Sequence, residues 1–204
     1  ICTHTHTYIH TYMRDYMSMS AHVHTPSKAC GHVISHTPTQ IQSHIHIPSV
    51  WAPKSNAELK AAIAACLKAS DFACTAGPLG PIASWDVSGV TDTGALFLDA
   101  NWDAISGADK FDGDLSKWNV SRVTRMTSMF TQAKTFNGDV SKWDVSRVTS
   151  MYGMLYQASS FKGDLSNWDV SKVTSMNTMV AYAALFNGDL SKWDVSRVTD
   201  MGYM

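Results

Sequence analysis

Three residue types here could do chemistry, His, Cys and Asp, and their placement decides which kind. All nine histidines lie between His4 and His46. His4 and His6, His22 and His24, and His44 and His46 are i, i+2 pairs sharing one side of an extended chain, a spacing at which imidazoles suit zinc, copper or nickel. Around them, residues 1–50 carry only Arg14, Asp15 and Lys28 as charged residues and keep neither a helical nor a strand period. Alternating Thr and His is also what a translated CA-dinucleotide repeat gives. The expectation is a disordered or non-native leader over 1–50, with no functional metal.

From Trp51 onward there is no His, one Glu (Glu58) and two Cys (Cys66 and Cys74). Ser-His and Cys-His nucleophile pairs cannot be assembled from that inventory, and neither a P-loop nor a G-x-G-x-x-G run occurs. Asp is plentiful, so a carboxylate-dependent hydrolase survives as a distant alternative. The expectation is no enzyme and no cofactor. Cys66 and Cys74 enclose a short loop and are a disulfide candidate that would require an oxidising compartment, with two buried free thiols as the alternative.

Periodic side chains make three further candidates. Asp114, Asp139, Asp164 and Asp189 each follow Gly. Calcium would want six to eight oxygens, but the dense Gly-Asp pattern of calcium-binding rolls is missing, and capping of turns is the stronger reading. The Met pairs (Met126 and Met129, Met151 and Met154, Met176 and Met179, Met201 and Met204) suggest copper(I) by type, yet their phase places them inside as flexible filling. Thr124, Thr149, Thr174 and Thr199 give one threonine per repeat, thin support for an ice-binding array.

Two elements must position these residues. "SNAELKAAIAACLKAS" reads as an amphipathic helix opened by a Ser55/Glu58 capping box, with Leu59, Ile63 and Leu67 on one face. "TAGPLGP" from Thr75 stops it. From Trp85 a repeat takes over, with Trp118, Trp143, Trp168 and Trp193 at intervals of 33, 25, 25 and 25. The long first interval holds an insertion near Asn101 to Ala108 with the off-register Trp102. A fixed period in this range marks stacked units, none of which can bury its own apolar face. Within one unit, Trp143 and Val145 alternate as in a strand, and Met151, Met154, Leu155 and Ala158 are spaced as in a helical turn. The predicted fold is an α/β repeat, a right-handed leucine-rich-repeat-like solenoid of about five rungs. Residues 51–84 would supply an N-terminal capping helix and linker, and 85–204 the repeats, cut short at Met204.

The string "FNGDLSKWDVSRVTxMxxMF" resembles the BspA-like leucine-rich repeat surface proteins, in particular their tryptophan-containing 25-residue type, a domain of unknown function. "AELKAAIAACL…GPLGPIASWDVSGVTD" is similar to the segment that precedes the array in algal members. The likeness covers roughly 54–204. It departs from ordinary leucine-rich repeats at Val123, Val148, Val173 and Val198, where those place Asn, so the Asn ladder is lost. The resemblance implies a secreted or surface-displayed interaction module with no known chemistry.

On this reading the outward strand positions form the partner face: Lys117, Asn119 and Ser121, then Lys142, Asp144 and Ser146, then Asn167, Asp169 and Ser171, then Lys192, Asp194 and Ser196. Stacking at about 4.8 Å would align the Asp residues, at a cost on the order of 1 kcal/mol per like-charged pair. The expected function is a non-enzymatic interaction or adhesion scaffold for a protein or cell-surface glycan, with a structural or orphan repeat fragment as the alternative. A net charge of −1 and a pI near 6.8 give no footprint for nucleic acid. The longest apolar run, Ala61 to Leu67, is too short to span a membrane, and no signal peptide is visible. The rung ending at Met204 is expected to self-associate through its uncovered apolar end.

Overall fold

A computed structural model of the chain describes residues 50–204; the histidine pairs and the leader lie outside the described residues. Helix α1 spans Asn56–Lys68. Ser55 opens it from an extended conformation, its Oγ accepting from the Glu58 N–H at 3.2 Å. The second half of the capping box is displaced by one residue, since Glu58 Oε2 accepts from the Lys54 N–H (2.8 Å). Either way the carboxylate neutralises a free donor near the positive end of the helix. Leu59, Ala62, Ile63 and Leu67 form the buried face and join one apolar cluster with Val87, Phe97 and Phe111. Beyond α1, Ser70 takes a left-handed conformation, and a Cys66–Cys74 disulfide (Cα–Cα 5.6 Å) ties the last turn to the chain that follows.

Past the disulfide the predicted α/β solenoid is not what forms. Among the described residues there is one α-helix, two single-turn 3₁₀ helices (Ile82–Ser84 and Ala108–Lys110), and otherwise turns, bends and isolated one-residue bridges; no strand and no sheet occur. The bridges are Asp92 with Arg125, Arg125 with Ser150, Ser150 with Ser175 and Ser175 with Asp200, all parallel, and an antiparallel one at Leu98 and Ala104 in the insertion.

The physical reason lies in how the spacings arise. Trp143 and Val145 are both buried, as strand alternation requires. They owe this to two successive turns, in which Trp143 N–H donates to Val140 O (3.1 Å) and Val148 N–H to Val145 O (2.9 Å). Likewise Met151, Met154, Leu155 and Ala158 are buried without a helix. Met154 donates to Met151 O and Ala158 to Leu155 O, both i to i−3, with left-handed Gly153 and Gln157 in between. Left-handed residues every four positions prevent both an extended run and a continuous helix.

Alternate N–H groups then bond from one 25-residue unit to the next. Met126, Ser128, Phe130 and Gln132 donate to the carbonyls of Ser150, Tyr152, Met154 and Tyr156 at 2.7–3.0 Å. Met151, Gly153, Leu155 and Gln157 donate onward to Ser175, Asn177, Met179 and Ala181 at 2.8–2.9 Å.

Aromatic columns fill the interior. Phe111, Phe136, Phe161 and Phe186 stack with successive centroids 5.8, 5.9 and 6.0 Å apart. Trp143 and Trp168 lie 6.5 Å apart and nearly parallel, at 4°. A buried indole needs a partner for its N–H. Trp118, Trp143, Trp168 and Trp193 find it in the carbonyls of Ile82, Leu115, Val140 and Leu165, at 2.9–3.1 Å. At the start of the stack Asn56, in the first turn of α1, donates Nδ2 to Asp92 O (3.2 Å) and Gly94 O (2.9 Å). These carbonyls correspond to Ser150 O and Tyr152 O, which take backbone N–H groups from the unit before, so one amide side chain substitutes for a preceding unit.

Candidate functional site

The expected partner face is built from turns. Lys117, Lys142, Asn167 and Lys192 are exposed, and so are Asn119, Asp144, Asp169 and Asp194. In each unit the acidic or amide oxygen folds back on its own backbone. Asn119 accepts from Ser121 N–H, Asp144 from Ser146, Asp169 from Ser171 and Asp194 from Ser196, at 3.0–3.1 Å. The second acidic column behaves alike, with Asp114, Asp139, Asp164 and Asp189 accepting from Ser116, Ser141, Ser166 and Ser191 at 2.9–3.0 Å. Asp and Asn favour such turns because their short side chains reach a backbone N–H two residues on.

The same bonds set the acidity. Hydrogen bonds from Ser146, side chain and backbone, hold the Asp144 carboxyl below its ordinary value; Arg147 adds to this, and Asp169 opposes it. Ser116, Ser141 and Ser171 do the same for Asp114, Asp139 and Asp169. Such carboxylates stay ionised and serve as acceptors, the opposite of a carboxyl raised to act as a general acid.

Little else converges in the manner of a reaction centre. Among the described residues no three His, Cys, Asp or Glu side chains come together as a metal-holding group, and every buried side-chain nitrogen or oxygen has a partner. One ion pair is formed there, Arg125 Nη1 to Asp92 Oδ2 at 3.7 Å; Lys117, Lys142 and Lys192 form none, but their charges add to the serine hydrogen bonds in holding down Asp114, Asp139 and Asp189. Each Met pair from Met126 to Met179 is fully buried. Thr124, Thr149, Thr174 and Thr199 spend their hydroxyls on the carbonyls of Thr91, Thr124, Thr149 and Thr174, each at 3.1 Å.

Two surfaces were missed by the sequence reading. One is an open cavity of about 660 Å³ where the end of α1 meets the insertion, lined by Lys68, Phe72, Ile105, Lys110, Gln132 and Lys134 among others. Lys110 Nζ sits 5.1 Å from the centroid of the Phe72 ring. The other is the run of turns at 126–133, 151–158 and 176–183, where Tyr152 and Tyr182 are 45% and 72% exposed. Comparing the repeats position by position would have found the second. The first depends on the meeting of non-periodic segments and has no signal in the sequence.

Among the described residues, neighbouring 25-residue segments are thus joined by backbone hydrogen bonds, and the two recurring acidic positions are committed to their own turns. Residues 102–204, just over half of the chain, match the family described as Mycoplasma protein of unknown function, DUF285, and the chain belongs to that family. It is a family associated with BspA-like proteins. No curated protein and no solved structure matches the chain.

Proposed function

We propose that the chain is a non-enzymatic interaction or adhesion module, secreted or displayed at a cell surface, of the BspA-like kind with a tryptophan-containing 25-residue unit. The observation that carries this reading is the recurrence of one exposed constellation, Lys117/Asn119, Lys142/Asp144, Asn167/Asp169 and Lys192/Asp194, held by identical turns on neighbouring units. Its lysines are exposed and outside any ion pair, while its acidic side chains keep the backbone beneath them fixed. Pre-set geometry of this sort lowers the ordering cost of binding. The Cys66–Cys74 disulfide favours an oxidising compartment. A carboxylate hydrolase is disfavoured because the Asp residues with shifted acidity are all pushed down (for example Asp114, Asp144 and Asp194).

The test is retention of the full chain on immobilised collagen, laminin and mucin. Saturable binding to at least one, weakened in a Lys142→Gln/Lys192→Gln double variant that melts like the wild type, supports the reading. Absence of binding at micromolar concentrations overturns it.

A further inference from the structure

Asn119 breaks the pattern of the polar face. The tetrapeptide Trp-Asp-Val-Ser recurs at 85–88, 143–146, 168–171 and 193–196, and at 118–121 it reads Trp-Asn-Val-Ser instead. The turn does not require the exchange. Asp86, Asp144, Asp169 and Asp194 accept from the serine N–H two residues on at 3.0–3.1 Å, and Asn119 Oδ1 accepts from Ser121 N–H at 3.1 Å in the same way. What the exchange adds is a carboxamide nitrogen on an exposed side chain, two residues before a hydroxyl.

That combination is the acceptor tripeptide for N-linked sugar, Asn-x-Ser/Thr with x other than Pro. The chain has seven asparagines, and each of the other six (Asn56, Asn101, Asn137, Asn167, Asn177 and Asn187) is followed two residues on by Glu, Asp or Met. Because the serine recurs in every unit, the change from Asp to Asn creates the acceptor in this unit alone.

The folded geometry suits a sugar at this atom. The turn uses only Oδ1, which accepts from Ser121 N–H and, at 2.8 Å, from Ser121 Oγ. Among the described residues Asn119 Nδ2 donates to none. By contrast, Asn56 Nδ2 is committed to Asp92 O and Gly94 O, and Asn177 Nδ2 to the Asp200 carboxylate. A glycosylated carboxamide keeps its carbonyl oxygen, so a sugar on Nδ2 leaves both turn bonds in place. The buried neighbours Trp118 and Val120 hold the turn to the core while Asn119 points to solvent. An independent observation supplies the compartment: the Cys66–Cys74 disulfide belongs to the oxidising environments that secreted chains pass through.

We propose that Asn119 is an N-glycosylation site. The co-reactant is an oligosaccharide carried on a lipid diphosphate. The bond from Asn119 Nδ2 to the sugar C1 forms and the C1–O bond to the diphosphate breaks. The lipid diphosphate leaves with that electron pair, and one Nδ2 proton passes to a base on the transferase. A carboxamide lone pair is delocalised into its carbonyl as in a peptide bond, so the step is performed by a transferase that reads the tripeptide and not by this chain. The proposal rests on the secreted or surface-displayed reading and deepens it: at one unit, that of Lys117, the polar face carries sugar.

The experiment is secretion of the full chain from a yeast host behind a cleavable signal. Intact mass is read before and after peptide N-glycosidase, and the site is located by peptide mass spectrometry from the conversion of Asn119 to Asp that this enzyme leaves. The expected result is one oligosaccharide, on Asn119, in most of the secreted chain. Asn119→Asp, which reproduces the turn of the other units, and Ser121→Ala, which keeps the backbone donor, should each abolish it. Ser121→Thr should retain it. Sugar that persists in Ser121→Ala, or that sits on a different asparagine, overturns the proposal. A secreted chain with the Cys66–Cys74 bridge closed and Asn119 bare also overturns it, and leaves the interaction module standing. A chain that is not secreted, with both thiols free, overturns the secreted reading and the glycan together.

Discussion

Substituting Phe for Trp143 removes two things whose sizes can be worked out from the structure. Trp143 is 4% exposed, packed between Trp168 at 6.5 Å and Phe130 at 6.2 Å. Its Nε1–H donates to Leu115 O at 3.1 Å in a buried setting. Phe keeps a ring in the column but supplies no donor, and a buried carbonyl left without its partner costs about 1–3 kcal/mol. The smaller ring leaves a void of roughly 40 Å³, which at about 24 cal/mol per Å³ adds about 1 kcal/mol. The expected loss is therefore about 2–4 kcal/mol, read from urea denaturation followed by circular dichroism. Trp143→Ala would forfeit about 3–5 kcal/mol in lost burial and cavity together, a large share of the about 5–15 kcal/mol that holds a typical domain together. The Phe variant is thus the informative one. Trp102, 62% exposed in the insertion, is the control: Trp102→Phe should stay within about 0.5 kcal/mol of the wild type. A Trp143→Phe loss as small as the control's would refute the claim that indole-to-carbonyl bonds lock one unit onto the next.

Three other outcomes follow from the same contacts. Asn56→Ala strips the partly buried carbonyls of Asp92 and Gly94 of their donor and should lower stability by about 1–3 kcal/mol in the same denaturation assay, whereas an exposed change on α1 such as Lys60→Ala should not. Thr178→Gly relieves a β-branched residue at φ 55°; left-handed strain of about 1–2 kcal/mol outweighs the extra freedom of glycine in the unfolded chain, about 0.5–1 kcal/mol, so the melting temperature should rise. Because Asp114, Asp139, Asp144 and Asp169 have carboxyls held below their unfolded acidity by serine hydrogen bonds, their contribution is present above the unfolded value of about 3.9 and lost as pH falls through the lower folded values. Melting temperature measured from pH 6 down to pH 2 should fall across that acid range, and Asp144→Asn, which keeps an acceptor oxygen, should be nearly neutral at pH 7 and flatten the decline.

What the sequence displayed was which residues go inside. The tryptophan, phenylalanine and methionine beats, the buried Leu59, Ile63 and Leu67, and the Ser55 cap are all carried by side-chain type and spacing. What it concealed was the backbone path. A period of two at Trp143 and Val145 and a period of three and four from Met151 to Ala158 are the marks of strand and helix, but two successive turns yield the first pattern and turns with a left-handed residue every fourth position the second. Glycine would have announced those positions, and only Gly153 does so; Ser128, Gln132, Gln157, Thr178 and Tyr182 adopt them without a compositional cue. On the partner face only the backbone beneath differs: Asp144 and Asp169 are exposed, but on turns rather than a strand, and each folds back onto the serine two residues on. Asn56 looked like one more helix residue because its partners, 36 and 38 residues away, are fixed only once the units stack.

Recognition without catalysis can be tested directly in one measurement. The full chain is equilibrated with immobilised neutral polysaccharides and matrix glycoproteins while the release of new sugar reducing ends is followed in the same wells. Saturable retention with reducing ends constant over hours is the predicted result. Steady release of reducing ends that depends on the protein would contradict it.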